Sequence, residues 1–234
     1  MYHPFSVTET FSIAWKVLKK NFSTIAVFSL LSTVIIGGSG FIIYYVLADS
    51  ILTSVGLIFL VVAYSFIFLA FIKLIFQLLD KEYYDFEFGD IIPTGKMLLS
   101  YLILLVIVST LAVFMSSAIN KNLSDGIIQY ILGIFVGIFF EFFFLFYFPV
   151  CTCFIVDDES GPFESVSQSF QLIKGNFLKY FLLFIIIEIM VFIGTVTVIG
   201  MIFVVPFVNI LLVVAYRKLV YSHLDVDDDL TETH

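Results

Sequence analysis

The stretch Gly137–Pro149, "GIFFEFFFLFYFP", places one carboxylate, Glu141, among seven phenylalanines with no basic residue close by in sequence. In water such a run aggregates, and inside a membrane a lone charge is costly. What surrounds the stretch decides between these two solvents. Soluble domains carry about 45–50% apolar and about 25% charged residues. This chain of 234 residues is 61% hydrophobic and 13% charged, with a mean hydropathy of +1.12. Apolar runs recur from Phe22 to Tyr216, and a helix needs about 20 such residues to cross a bilayer. The runs are continuous, without the short alternating segments of a membrane β-barrel. The fold class is therefore all-α and polytopic, with six transmembrane helices.

The spans are expected at roughly Phe22–Tyr45, Leu52–Leu79, Met97–Ile119, Ile127–Phe154, Phe177–Val198 and Met201–Tyr216. Only "TVTVIG" separates the last two, and the run that holds them is about twice one span, so a hairpin is the economical solution. The opening "MYHPFSVTETFS" has no basic n-region, apolar core or small-residue cleavage site, so no cleaved signal peptide is indicated. Lys16, Lys19 and Lys20 precede the first span, Lys81 and Lys96 separate the second from the third, and Lys174 separates the fourth from the fifth. Arg217 and Lys218 follow the sixth, and only Lys121 falls on the other side. This asymmetry puts both termini of a multi-pass membrane protein in the cytoplasm. The net charge of −8 does not oppose it, because acidic residues weigh little in topology. Cys151 and Cys153 lie at the cytoplasmic end of the fourth span, where a disulfide is not expected, and are read as packing residues.

Two segments ahead of spans are too polar for the membrane interior and too patterned for loops. Val7, Phe11, Ala14, Leu18 and Phe22 recur at helical spacing opposite Thr8, Glu9, Ser12, Lys16 and Lys19. Phe163, Val166, Phe170, Ile173 and Phe177 do the same opposite Glu164, Gln168, Gln171 and Lys174. Such helices lie in the plane of the membrane interface. Aligned without gaps, Glu9, Ser12, Lys19, Asn21 and Phe22 match Glu164, Ser167, Lys174, Asn176 and Phe177. These five identities in fourteen positions exceed the roughly one expected by chance, which suggests an internal repeat, with convergent interfacial sequences as the alternative. "FEFGDIIPTGKMLL" before the third span is a weaker third copy, with Phe88, Ile91, Ile92 and Leu98 as its apolar side. The chain then reads as one six-helix membrane domain over residues 1–222, built from three units of an interfacial helix followed by a hairpin. The interfacial helices fall near 7–20, 86–96 and 163–175, and residues 223–234 form an acidic, disordered tail.

The amphipathic "FSIAWKVLKKNF", the span ending "YFPVCTCFIVDDE", the following "SVSQSFQLIKGNF" and the final "VPFVNILLVVAYRKL" together resemble a known group. It is that of the bacterial six-helix families related to the membrane domain of glycerophosphoryl diester phosphodiesterases. The likeness covers nearly the whole chain and rests on diffuse structural motifs. Some members carry a soluble phosphodiesterase domain that is not present in this sequence, so the resemblance implies a fold and not an activity.

Gly133, Gly137 and Glu141 are four apart and share one helix face, with about 40° of drift per step. Gly133-x-x-x-Gly137 permits close helix approach, so Glu141 is expected at a helix–helix contact or a cavity instead of against lipid. Counting from the span ends, Glu141 lies roughly 18 Å before Cys153 and Glu188 roughly 17 Å beyond Phe177, a comparable depth. Lys73 lies roughly 10 Å before Asp80, and Asn209 roughly 12 Å before Arg217. Intramembrane polar groups are functional candidates, while snorkelling of Lys73 to the interface and a neutral, hydrogen-bonded Glu141 are the structural alternatives. Trp15, Lys16, Lys19 and Lys174 are the headgroup-facing candidates.

No HExxH, GxSxG or phosphate loop occurs, the histidines are scattered, and no metal site, cofactor or nucleic-acid footprint is expected. Asp157, Asp158 and Glu159 are the sole interfacial polar cluster that an enzyme acting on headgroups could use, and a solvated turn explains them better. The expected role is a non-enzymatic scaffold or lipid-associated component, with membrane lipids and a membrane-protein partner or second copy as partners. The rival is a small carrier or export factor using Glu141 and Glu188 as protonatable residues.

Overall fold

Inside a bilayer no water satisfies backbone N–H and C=O groups, so a long apolar run closes its own hydrogen bonds as a helix. The computed structural model describes residues 5–46, 51–80, 88–122 and 126–231. Its helices are α1 (Val7–Lys20), α2 (Phe22–Val46), α3 (Ile51–Asp80), α4 (Gly95–Asn122) and α5 (Ile127–Phe142), followed by α6 (Phe148–Asp157), α7 (Pro162–Lys174), α8 (Phe177–Val196) and α9 (Val198–Thr231). No strand occurs among the described residues. Six segments are long and apolar enough to cross a membrane, and the chain is an all-α polytopic membrane protein. Sequential spans pair as hairpins, α2 with α3, α4 with α5, and α8 with α9.

The fourth span is not one regular helix. Between α5 and α6, Phe143–Tyr147 form a π-helical turn in which the N–H of Phe148 donates to the carbonyl of Phe143. Pro149 explains its place. A proline has no N–H for the carbonyl four residues back, Leu145, and its ring crowds that carbonyl. Widening the turn around Leu145 relieves the clash and inserts one residue into the helical register. The face carrying Gly133, Gly137 and Glu141 is therefore not continued into α6.

The chain forms two compact units where the sequence suggests a single domain. One contains α4, α5, α6 and most of α7 (residues 95–170), and α4 packs against both α5 and α6. The other joins the described residues of 1–94 to those of 171–234. Its centre is α9, which packs against α1, α2, α3 and α8 and buries Ile210, Leu211, Val214 and Leu219. Adjacent residues of α9 fasten it on two sides. Arg217 Nη2 donates to Asp80 Oδ2 of α3 at 3.0 Å with its guanidinium 4.9 Å from the centre of the Phe76 ring, and Lys218 Nζ donates to Glu9 Oε1 of α1 at 2.6 Å.

Both amphipathic segments ahead of the first and fifth spans are helical, and α7 turns a different side inward from the one its apolar spacing suggests. Helix α1 buries Ala14 and Leu18 of its apolar stripe and exposes Thr8, Glu9, Ser12, Lys16 and Lys19 opposite, but it also buries Thr10, and Phe22 is exposed. Thr10 is tolerated inside because its hydroxyl donates to the Ser6 carbonyl at 2.7 Å. In α7 the buried residues are Ser165, Ser169, Leu172 and Ile173, with Phe163 and Phe170 outward. Ser165 and Ser169 donate to the carbonyls of Pro162 and Ser165, so their small side chains are buried without an unpaired hydroxyl. Helix α7 starts with Pro162 in its first turn, and Glu164 Oε2 accepts the Gly161 N–H at 3.3 Å, the return half of a capping box.

The described part of the third amphipathic segment forms only a short 3₁₀ turn, Phe88–Ile91, ahead of α4, and residues 86–87 of that segment lie outside the described residues. Helix α9 continues to Thr231, well past Tyr216, and takes in most of the stretch read as a disordered tail. Once a helix is nucleated by the packed span, each further residue adds a hydrogen bond, which offsets a polar composition. Residues 232–234 lie outside the described residues.

The breaks between amphipathic helix and span are alike at the two matched segments. Asn21 has φ −117° and ψ 22°, and Asn176 has φ −129° and ψ 27°. Each Asn carbonyl accepts the N–H four residues on, from Ile25 and Tyr180 respectively, so each starts the next helix.

Candidate functional site

Glu141 is exposed, contrary to the contact its spacing suggests. A side chain at Gly133 or Gly137 would meet nothing within 4 Å, and α5 has no buried residue at all. The small-residue pair thus opens a surface where a close helix contact was expected. The physical reason is that glycine spacing permits approach without driving it, and α4 covers only part of α5. Glu188, half-buried on α8, belongs to the other unit.

Lys73 does not stay at its own depth. Its stem is half-buried on α3, and its ammonium donates to the Ile92 carbonyl at 2.9 Å, just beyond the 3₁₀ turn. Such a long side chain carries its charge away from the apolar layer while its methylenes remain packed. Lys73 is therefore a fastening for the connection into α4. Cys151 and Cys153 are buried free thiols. Among the described residues no group of three His, Cys, Asp or Glu is placed to hold a metal ion.

The headgroup candidates are more informative. Trp15, Lys16, Lys19 and Lys174 are all exposed. Lys19 Nζ stands 5.1 Å from the centre of the Trp15 ring, an arrangement that holds an ammonium beside an apolar surface. Trp15 meets Phe207 of α9 edge-on with centroids 5.8 Å apart, and Phe22 stacks on Phe203 at 6.3 Å with ring planes only 7° apart. Together with Leu18, Met190 and Val204 these rings line a groove of about 590 Å³. Its one charged group is Lys19. Repeat spacing pointed to Lys19, but the aromatic wall from α9 was not legible, because it comes from residues nearly two hundred positions away.

Asn209 lies elsewhere, on a second cleft of about 520 Å³ between α2, α3 and α9. Its amide Nδ2 donates to the Val205 carbonyl at 2.8 Å. Ser29, Ser32, Thr33 and Tyr64 also line this cleft and were not singled out from the sequence. Isolated hydroxyls in an apolar run are common helix-satisfied groups, so only their convergence marks them.

No family model, curated protein or solved structure matches this chain. The resemblance to the membrane domain of glycerophosphoryl diester phosphodiesterases therefore rests on the quoted residues alone.

Proposed function

We propose that the protein is a non-enzymatic, lipid-associated scaffold of a bacterial inner membrane, with both termini cytoplasmic. The observation that carries this reading is the groove at α1, where Lys19 sits at an aromatic wall formed by Trp15, Phe22, Phe203 and Phe207. A cation beside a groove of rings and aliphatic side chains suits a lipid whose headgroup is anionic and whose chain lies along the wall. The ion pairs Arg217–Asp80 and Lys218–Glu9 tie α9 to α3 and α1, which favours a rigid platform over a moving element. The like geometry at Asn21 and Asn176 supports the internal repeat, and Lys174 would then face headgroups at the second copy.

A basic side chain near an anionic surface contributes about 1 kcal/mol, or about fivefold in binding. Lys19→Glu should therefore lower retention of phosphatidylglycerol relative to phosphatidylethanolamine by about fivefold or more during purification in mild detergent, with Lys121→Glu as the control. Unchanged retention in Lys19→Glu would remove the basis of the lipid reading. For orientation, a cysteine introduced at the exposed Asp158 should react only with reagent on the cytoplasmic side.

A further inference from the structure

The cleft between α2, α3 and α9 has a chemistry distinct from the groove at α1. It is walled by hydrocarbon and aromatic side chains such as Phe71 and carries no charged residue. Counted along their helices, Ser29 lies roughly 10 Å from Phe22 at the start of α2 and Asn209 roughly 12 Å from the charged Arg217 of α9, so the polar groups sit well inside the apolar layer. Only a molecule already dissolved in the membrane reaches that depth.

The polar atoms of the cleft have a definite sense. A backbone carbonyl only accepts, so the Asn209 atom bonded to Val205 is the NH₂, which leaves Oδ1 as an acceptor and one N–H as a donor. Ser32 and Thr33 donate their hydroxyl hydrogens to the carbonyls of Phe28 and Ser29, at 2.7 and 2.8 Å. Their oxygens keep only lone pairs for a ligand. The Ser29 hydroxyl has no hydrogen-bond partner among the described residues, and it and the Tyr64 hydroxyl can serve in either sense. Three acceptors, one amide N–H and two adaptable hydroxyls, in an uncharged apolar slot, suit a neutral ligand whose hydroxyl both donates and accepts. The volume fits one small-molecule site, since these are typically about 300–1,000 Å³.

We propose that this cleft binds a neutral lipid alcohol, whose chain fills the apolar walls and whose hydroxyl donates to Asn209 Oδ1 or to the Ser32 and Thr33 oxygens. A diacylglycerol and a long isoprenoid alcohol share this chemistry. This site does not depend on the anionic-lipid groove, since it uses none of its residues.

Gly37 supplies the variant that closes the cleft. It lines the slot, and a Cβ added there would meet no atom within 4 Å, so Gly37→Leu extends a side chain into the open space of the slot. The test uses the full chain in phosphatidylethanolamine–phosphatidylglycerol vesicles with photoactivatable diacylglycerol and isoprenoid alcohol, each beside its O-methyl ether, which keeps the chain but cannot donate. One hydrogen bond changes affinity by about two- to tenfold. At least one alcohol should label the wild-type protein about two- to tenfold more than its ether. That preference should vanish in Asn209→Leu/Ser32→Ala/Thr33→Val, and all labelling of the site should vanish in Gly37→Leu. The alcohol that labels more strongly identifies the source. Equal labelling by alcohol and ether would overturn recognition of the hydroxyl. No labelling, or labelling indifferent to Gly37→Leu in a protein that retains its wild-type melting temperature, would overturn the site.

Discussion

Replacing Gly194 by alanine tests the packing of the α8–α9 hairpin. An added Cβ at Gly194 would lie 3.0 Å from Val204 Cγ2 and 3.2 Å from Val204 Cβ. Carbon atoms in contact prefer about 3.5–4.0 Å, so the deficit is about 0.3–1.0 Å. Val204 cannot turn away, because its Cβ is fixed to the backbone and its branched side chain has one strongly preferred helical rotamer. The two helices must separate instead, and overpacking of this kind costs about 1–3 kcal/mol. Alanine also recovers about 1 kcal/mol of helix propensity over glycine, which leaves a net loss of about 0–2 kcal/mol. Gly137→Ala is the control, because a Cβ there meets nothing and only the propensity gain of about 1 kcal/mol remains. The propensity change is common to both, so Gly194→Ala should be less stable than Gly137→Ala by about 1–3 kcal/mol. Thermal unfolding of the two proteins in the same mild detergent, followed by circular dichroism, measures the difference. Equal midpoints, or a Gly137→Ala protein that melts below Gly194→Ala, would refute the assignment of the tight contact.

Lys73→Met should free the connection ahead of α4, since its methylenes remain but the donor to Ile92 is lost; amide exchange at residues 89–92 should rise, with a stability loss of about 1 kcal/mol, and unchanged exchange would count against the fastening role. In a double-mutant cycle, Asp80→Asn and Arg217→Met should couple by about 0.2–1 kcal/mol, the range of part-exposed ion pairs, and additive effects would mean that the pair does not hold α9 to α3.

The fold was largely legible because the bilayer leaves so few solutions. A continuous apolar run such as Phe177–Tyr216 must be helical, and its length alone requires a hairpin. Helix faces were read less well, for reasons that differ by place. Gly133, Gly137 and Glu141 do share a face of α5, but glycine spacing permits a contact without supplying a partner, and the π turn at Phe143–Tyr147, whose cause Pro149 was visible but suggested only a bend, ends that register before α6. In α7 the hydrophobicity of Phe163 and Phe170 pointed inward, whereas the residues packed inside are Ser165 and Ser169, whose hydroxyls bond their own helix. Next to lipid, an outward phenylalanine loses little, so the apolar stripe no longer marks the protein core. Lys19 was legible from repeat position and charge. The acceptor-lined cleft was not, because its members lie on three helices and are ordinary residues in each.

The place of α9 at the centre of its unit bears on the order of biogenesis. Residues 95–170 are contiguous, so α4, α5 and α6 can associate as soon as they leave the ribosome and enter the bilayer. Helices α1, α2 and α3 are made earlier, yet the surface that covers Ala14, Leu18 and Ile75 is incomplete until α9 has been translated. During that interval Glu9 and Asp80 wait for Lys218 and Arg217, and the first hairpin is exposed to other helices in the membrane. Long-range closure of this kind is slow compared with local pairing. The earliest-made part of the chain is thus the last to be finished, and its dependence on insertase or chaperone supply should exceed that of the middle segment.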